Sequence, residues 1–191
     1  NTFGSPFLHD FARNPAYAES FIVKYPSILL SVSQMSEVLF ILSIPFFLRR
    51  FGIKTVMLMS MVAWMLRFGL FAYGDPSATG VGLLMLSMLV YGCAFDFFNI
   101  SGSVFVEQEV SADIRASAQG LFMTTVNGIG AYFGSVLSGA AVDYFSVDGV
   151  KDWQTIWLVF AAYALMLAVV FYFSFNYRHT SKNSELRTVA H

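Results

Sequence analysis

The chain is 191 residues long, 57% hydrophobic and only 12% charged, with a formal net charge of −1. A soluble domain carries about 25% charged residues, because polar groups must cover its surface, so this composition points to a bilayer as the solvent. The near-neutral charge excludes a nucleic-acid surface or a basic membrane-binding face. The single Cys93 has no disulfide partner in the chain and reads as a small buried hydrophobe.

The chain opens at Asn1 rather than Met, and Asn1 to His9 already reads as the end of an apolar element. A fragment lacking its N-terminal part is therefore expected. A bilayer core of roughly 30 Å takes about 20 apolar residues as a helix. Spans of that kind are predicted at about 26–48, 53–73, 81–106, 116–142 and 155–177, with 1–9 as the truncated tail of a sixth. The connections are short and polar: 10–25, a turn at Gly74, Asp75 and Pro76, and another from Ser146 to Asp152. No linker divides the chain, so residues 1–191 read as one all-α half-bundle ending in a polar tail over 178–191. No signal peptide is visible, and His9, His179 and His191 are too scattered to hold a metal.

Lys and Arg in short loops set the orientation of a membrane protein. Alternating crossings put Arg49, Arg50, Lys54, Arg115, Arg178, Lys182 and Arg187 on one side, which is therefore cytoplasmic and holds the C-terminus. Arg13, Lys24 and Lys151 fall on the other side among several aspartates. Trp153 and Trp157 suit an interfacial anchor at the outer end of the last span. That span has no ionisable side chain before its end and reads as a lipid-facing support. Arg67 lies inside the second span. Snorkelling towards the outer interface is one account of it, and an ion pair within the bundle is the other.

Glu37 and Asp96 sit in the middle of spans, where an ionised carboxylate costs several kcal/mol, so each marks a functional hypothesis. A carboxyl paired or kept neutral for packing is the plainer account. Gln34 and Glu37 share one helix face beside Ser33 and Ser36, and Asp96 and Asn99 share another among Tyr91, Phe95, Phe97 and Phe98. Carriers place their substrate sites at this mid-membrane depth. Carboxylates and amides can hold sugar hydroxyls while aromatic rings stack on a flat heterocycle, although phenylalanines in membranes mostly face lipid or pack helices. The fourth span carries Gly128, Gly130, Gly134 and Gly139, with Gly130 and Gly134 at GxxxG spacing. Close helix packing is expected there, and a bending gate is the functional alternative. Gln119 and Asn127 are polar on the same helix and are candidates to face a cavity.

The run Tyr91-Gly-Cys-Ala-Phe-Asp-Phe-Phe-Asn-Ile-Ser-Gly-Ser-Val-Phe-Val-Glu107 is the most distinctive part of the chain. With Ser31 to Glu37, Glu109 to Gly120 and Asp152 to Trp157, it resembles the C-terminal half of the nucleoside:proton symporters of the major facilitator superfamily, the enterobacterial nucleoside and xanthosine permeases. The likeness covers almost the whole chain. The loop from Arg49 to Lys54 resembles the superfamily's cytoplasmic loop motif without its usual aspartate.

The resemblance implies a six-helix half with its first helix truncated, whose missing N-terminal half supplies the rest of the pocket. It implies that Asn1, Gln34, Glu37, Phe95 and Asp96 match residues lining a site for purine or pyrimidine nucleosides, with Asp96 needed for substrate binding and transport. The expected function is proton-coupled nucleoside uptake across the bacterial inner membrane by alternating access, with a proton as coupling ion and no cofactor. Asp96 is the expected proton carrier, since a neutral carboxyl can pass the midplane and an ionised one resists it; Glu37 is the rival. Gln34 and Glu37 would hold the ribose and Phe95 the base. A carrier of a sugar or drug would share the fold but lack the matched set. A channel would need a polar stripe along several helices, and a scaffold would tolerate neutral residues at both carboxylates. A membrane enzyme is disfavoured, because no nucleophile–base pair or metal set is present.

Overall fold

The computed structural model describes residues 3–13, 15, 17 and 20–176, so Asn1 and the expected tail over 178–191 lie outside the described residues. A short helix α1 (Gly4–Asp10) passes through a 3₁₀ turn (Phe11–Arg13) and α2 (Phe21–Lys24) into α3 (Pro26–Tyr73). Pro26 stands in the first turn of α3, where its missing N–H would have had no intrahelical partner. Helix α3 consists of two limbs broken at Gly52, whose φ of 75° and ψ of 166° belong to a region essentially reserved for glycine. The turn into α4 (Ala78–Glu109) is held by side chains: Asp75 Oδ1 accepts the Ser77 N–H at 2.8 Å, and Ser77 Oγ accepts the Gly80 N–H at 3.2 Å.

The next rod is helical throughout but not regular. It comprises α5 (Arg115–Met123), a π-helical segment (Thr124–Gly130) and α6 (Ala131–Tyr144). A two-residue hairpin follows, β1 (Ser146–Val147) pairing antiparallel with β2 (Val150–Lys151). Its turn residues Asp148 and Gly149 both have positive φ, as a type I′ turn requires and Asp-Gly favours.

The last helix, α7 (Trp153–Ser174), is capped by Asp152, which accepts the Thr155 hydroxyl at 2.6 Å and the Thr155 N–H at 3.1 Å. The Thr155 side-chain bond foremost, then the backbone bond, holds the Asp152 carboxyl below its ordinary value. A lowered carboxyl pKa stabilises the folded state fully above the ordinary value of about 4, and the contribution is lost as acid titrates through the lowered one. Asp152→Ala should cost about 1 kcal/mol at neutral pH. Thermal unfolding in detergent checks this, and the gap between variant and parent should close in strong acid.

Helix α4 packs along both limbs of α3, and α7 packs on α3 as well. One core joins Phe7 and Leu8 of α1 with Val23, Phe71, Leu84, Met88 and Trp157; a smaller one joins Ile44, Val56 and Phe97. Lipid tails are as apolar as leucine, so close backbone approach and hydrogen bonds between helices matter most for holding a membrane bundle. Gly92 provides the approach: a Cβ there would lie 2.7 Å from the Ser36 carbonyl carbon and 2.8 Å from the Glu37 nitrogen. Around it Ser36 Oγ shares its one proton between the Ser33 carbonyl at 2.8 Å and the Met88 carbonyl across the seam at 3.2 Å, and Ser60 Oγ donates to the Ala94 carbonyl at 2.5 Å.

Three expectations are corrected. The glycines of the fourth span do not form a packing seam among the described residues: a Cβ at Gly134 or Gly139 would meet nothing within 4 Å. Close contact falls instead at other glycines, among them Gly92 and Gly102, the latter facing the Phe122 ring. Trp157 is not an interfacial anchor. It is 4% exposed, stacked on Phe71 at 4.8 Å within the core. Nor is α7 only a lipid-facing support, since Trp157, Phe160 and Tyr163 line a cavity between the helices. Its other face does expose Leu165, Met166, Val169 and Phe173. Segments Ser31–Tyr73, Thr79–Glu109 and Trp153–Ser174 are each long and apolar enough to cross a bilayer, which makes this a multi-pass membrane protein.

Candidate functional site

A cavity of about 520 Å³ lies between the second limb of α3, α4, the π segment with α6, and α7. That is within the roughly 300–1,000 Å³ of small-molecule sites. Helix α4 supplies its most ordered wall. Tyr91, Phe95 and Asn99 are four residues apart and so form one stripe. The Tyr91 and Phe95 rings are stacked at 5.8 Å with 21° between their planes. Opposite them the π segment and α6 contribute Asn127, Gly130, Gly134 and Ser135, small or polar residues that leave room.

Arg67 stands behind the aromatic wall and does not snorkel. It is 1% exposed, and its Nη1 donates to the Ser87 carbonyl at 2.9 Å while Ser87 Oγ donates back to the Arg67 carbonyl at 3.1 Å. Its guanidinium lies 4.3 Å from the Tyr91 ring centre and 5.1 Å from that of Phe71. Such contacts are strongest where water is excluded. The arginine thus clamps α3 to α4 and backs the ring of Tyr91.

The expected site residues separate into two groups. Phe95 is on the cavity wall. Asp96 is the next residue, but it is 7% exposed and turned with Gly92 towards the first limb of α3. Among the described residues its Oδ2 is buried with no hydrogen-bond partner. Glu37 is half-buried on that limb, at the level of Gly92. Gln34, on the same limb, is exposed. Neither Gln34 nor Glu37 lines the cavity, and Asn1 lies outside the described residues. Asp96 therefore sits buried in the α3–α4 seam, one residue from a cavity walled by rings and amides.

Several cavity residues escaped the sequence reading. Trp64, Arg67, Phe160 and Tyr163 all line it. An aromatic stripe on an apolar helix looks the same in sequence whether it faces lipid, core or cavity. Of the two polar residues noted on the fourth span, Asn127 faces the cavity, whereas Gln119 Nε2 donates to the Ser103 carbonyl at 2.7 Å and ties α5 to α4.

A family profile described as Nucleoside H+ symporter matches residues 1–180. Over its full length the chain is 78% identical to the xanthosine permease of Escherichia coli (strain K12) and 58% identical to nucleoside permease NupG of the same organism. It spans 46% of each, so about half the length of these curated relatives. A crystal structure of nucleoside transporter NupG is 60% identical, superposes with a TM-score of 0.87, and is matched over 92% of this chain and 44% of that one. The helical membrane fold, the superposition and the match over residues 1–180 agree: the chain belongs to the nucleoside H+ symporter family.

Proposed function

We propose that this chain forms the C-terminal six-helix half, with a truncated first helix, of a carrier that takes up nucleosides together with protons by alternating access. Its place is the bacterial inner membrane, with residues 178–191 in the cytoplasm and the remainder of the pocket supplied by an N-terminal half. The observation that carries this reading is Asp96: a carboxyl at 7% exposure, with one oxygen lacking a hydrogen-bond partner among the described residues, directly beside the cavity-lining Phe95. A group so expensive to bury is suited to gaining and losing a proton as the site opens and closes.

In this reading Asp96 carries the proton, with Glu37 as rival, and Phe95 packs on the base. Gln34 and Glu37 hold the ribose when the two halves close on it, and Asn1 lines the same site. The substrate is a purine or pyrimidine nucleoside. Family membership supports the substrate class, and the cavity size supports a ligand of that bulk.

The test uses the full-length protein in energised membrane vesicles. Uptake of radiolabelled uridine should rise with an imposed inward proton gradient and be blocked by competing nucleosides. Uptake indifferent to the gradient would remove proton coupling. Uptake blocked by a sugar or drug and not by nucleosides would remove the substrate class.

A further inference from the structure

We infer that Asn99 and Asn127 together form a subsite that reads the edge of the nucleobase and so sets which nucleosides are accepted. The inference rests on the proposed nucleoside reading and assigns a role to two amides outside the expected site set.

The geometry begins with α4. Tyr91 and Phe95 offer a stacked aromatic surface, and Asn99 stands one helical turn beyond Phe95 on the same stripe. Its Nδ2 donates to the Phe95 carbonyl at 3.0 Å, which fixes the amide in orientation beside the ring. From the facing rod Asn127 brings its Nδ2 to 3.4 Å from Asn99 Oδ1 and to 3.4 Å from Met123 Sδ. Asn127 lies in the π-helical segment, a form found frequently at functional sites. Gly130, on the same rod, also lines the cavity.

An amide has one oxygen with two lone pairs and two N–H donors. Those contacts leave a second N–H on Asn99, a lone pair of the Asn99 oxygen and the whole Asn127 oxygen. A donor beside an acceptor is the pattern that complements a nucleobase edge, as asparagine does when it pairs bidentately with adenine. The amide–amide contact at 3.4 Å is longer than the roughly 2.7–3.2 Å of ordinary N–H···O bonds. Exchanging it for a ligand contact therefore loses little. A base lying against Phe95 would present its edge to Asn99 and Asn127, with its face on the ring.

The alternative is that the pair is only glue between α4 and the π segment, as polar residues are in many bundles. The two roles differ in what they change. Glue affects stability for all substrates alike, whereas a base-edge site affects the ratio between nucleosides that share a sugar.

The experiment places Asn99→Ala and Asn127→Ala in the full-length protein and measures proton-driven uptake with competition by uridine and cytidine. These share the ribose and differ at the base edge. In both variants the ratio of apparent affinities for the two should move by about tenfold, the effect of losing one base-edge pair. Asn99→Gln and Asn127→Gln keep an amide but displace it, and carry the same expectation if an alanine variant does not reach the membrane. An unchanged ratio in variants that still transport overturns the inference and leaves the symporter reading standing. A parent protein whose uptake no nucleoside inhibits overturns both.

Discussion

In the proposed carrier, Asp96→Asn in the full-length protein should abolish accumulation of nucleoside against its gradient, while downhill exchange of labelled for unlabelled nucleoside should continue. Asparagine keeps the size and hydrogen-bonding capacity of the neutral acid but cannot take up or release a proton. The position can afford an uncharged group: it is 7% exposed, in the seam where Gly92 meets Ser36 and Glu37. With the proton cycle gone, the gradient no longer biases the carrier between its two open states, and only equilibration remains. Vesicle uptake with and without an imposed proton gradient reads the loss directly. Full accumulation in Asp96→Asn, together with its loss in Glu37→Gln, would move the proton to Glu37.

Gly92→Ala should disrupt the α3–α4 seam. The added carbon would stand 2.7 Å from the Ser36 carbonyl carbon and 2.8 Å from the Glu37 nitrogen, and both belong to backbone that cannot rotate away. Relief requires the two helices to separate, which weakens the Ser36 bond to Met88 and moves Glu37 relative to Asp96. Overpacking of this kind costs about 1–3 kcal/mol. A lowered melting temperature in detergent, with a loss of transport, is the expected result. The control is Gly134→Ala, where a Cβ would meet nothing within 4 Å and stability should stay within about 0.5 kcal/mol. Equal melting temperatures for the two variants would show that α3 and α4 do not touch at Gly92.

These two glycines illustrate how far the sequence could be read. The GxxxG spacing of Gly130 and Gly134 says that a helix could approach there, but not that one does, and within the described residues none does. Gly92 is a single glycine in an aromatic run, with no spacing to mark it, yet it makes the close contact. Arg67 shows the same limit. Its position along the helix gives its distance from the membrane surface, from which snorkelling is a fair expectation. Its azimuth, which turns it inward to Ser87 and Tyr91, depends on where α4 lies. Trp157 likewise reads as a surface anchor by its place near the helix end, and is in the core because α1 and Phe71 cover it.

Membrane character, helical class and family were legible in the chain itself. Insertion into a bilayer is decided segment by segment from apolar content, and that sum depends only on neighbouring residues. The run from Tyr91 to Glu107 carries enough specific chemistry to mark the family, to which the profile match over residues 1–180 independently assigns the chain. The cavity was not legible. It exists because residues far apart in sequence meet, Arg67 with Ser87, Ser36 with Met88, Asn99 with Asn127. Those meetings follow from the rotation and crossing of whole helices. No local pattern encodes that rotation, because in a bilayer a lipid-facing side chain and a packed one can have the same hydropathy.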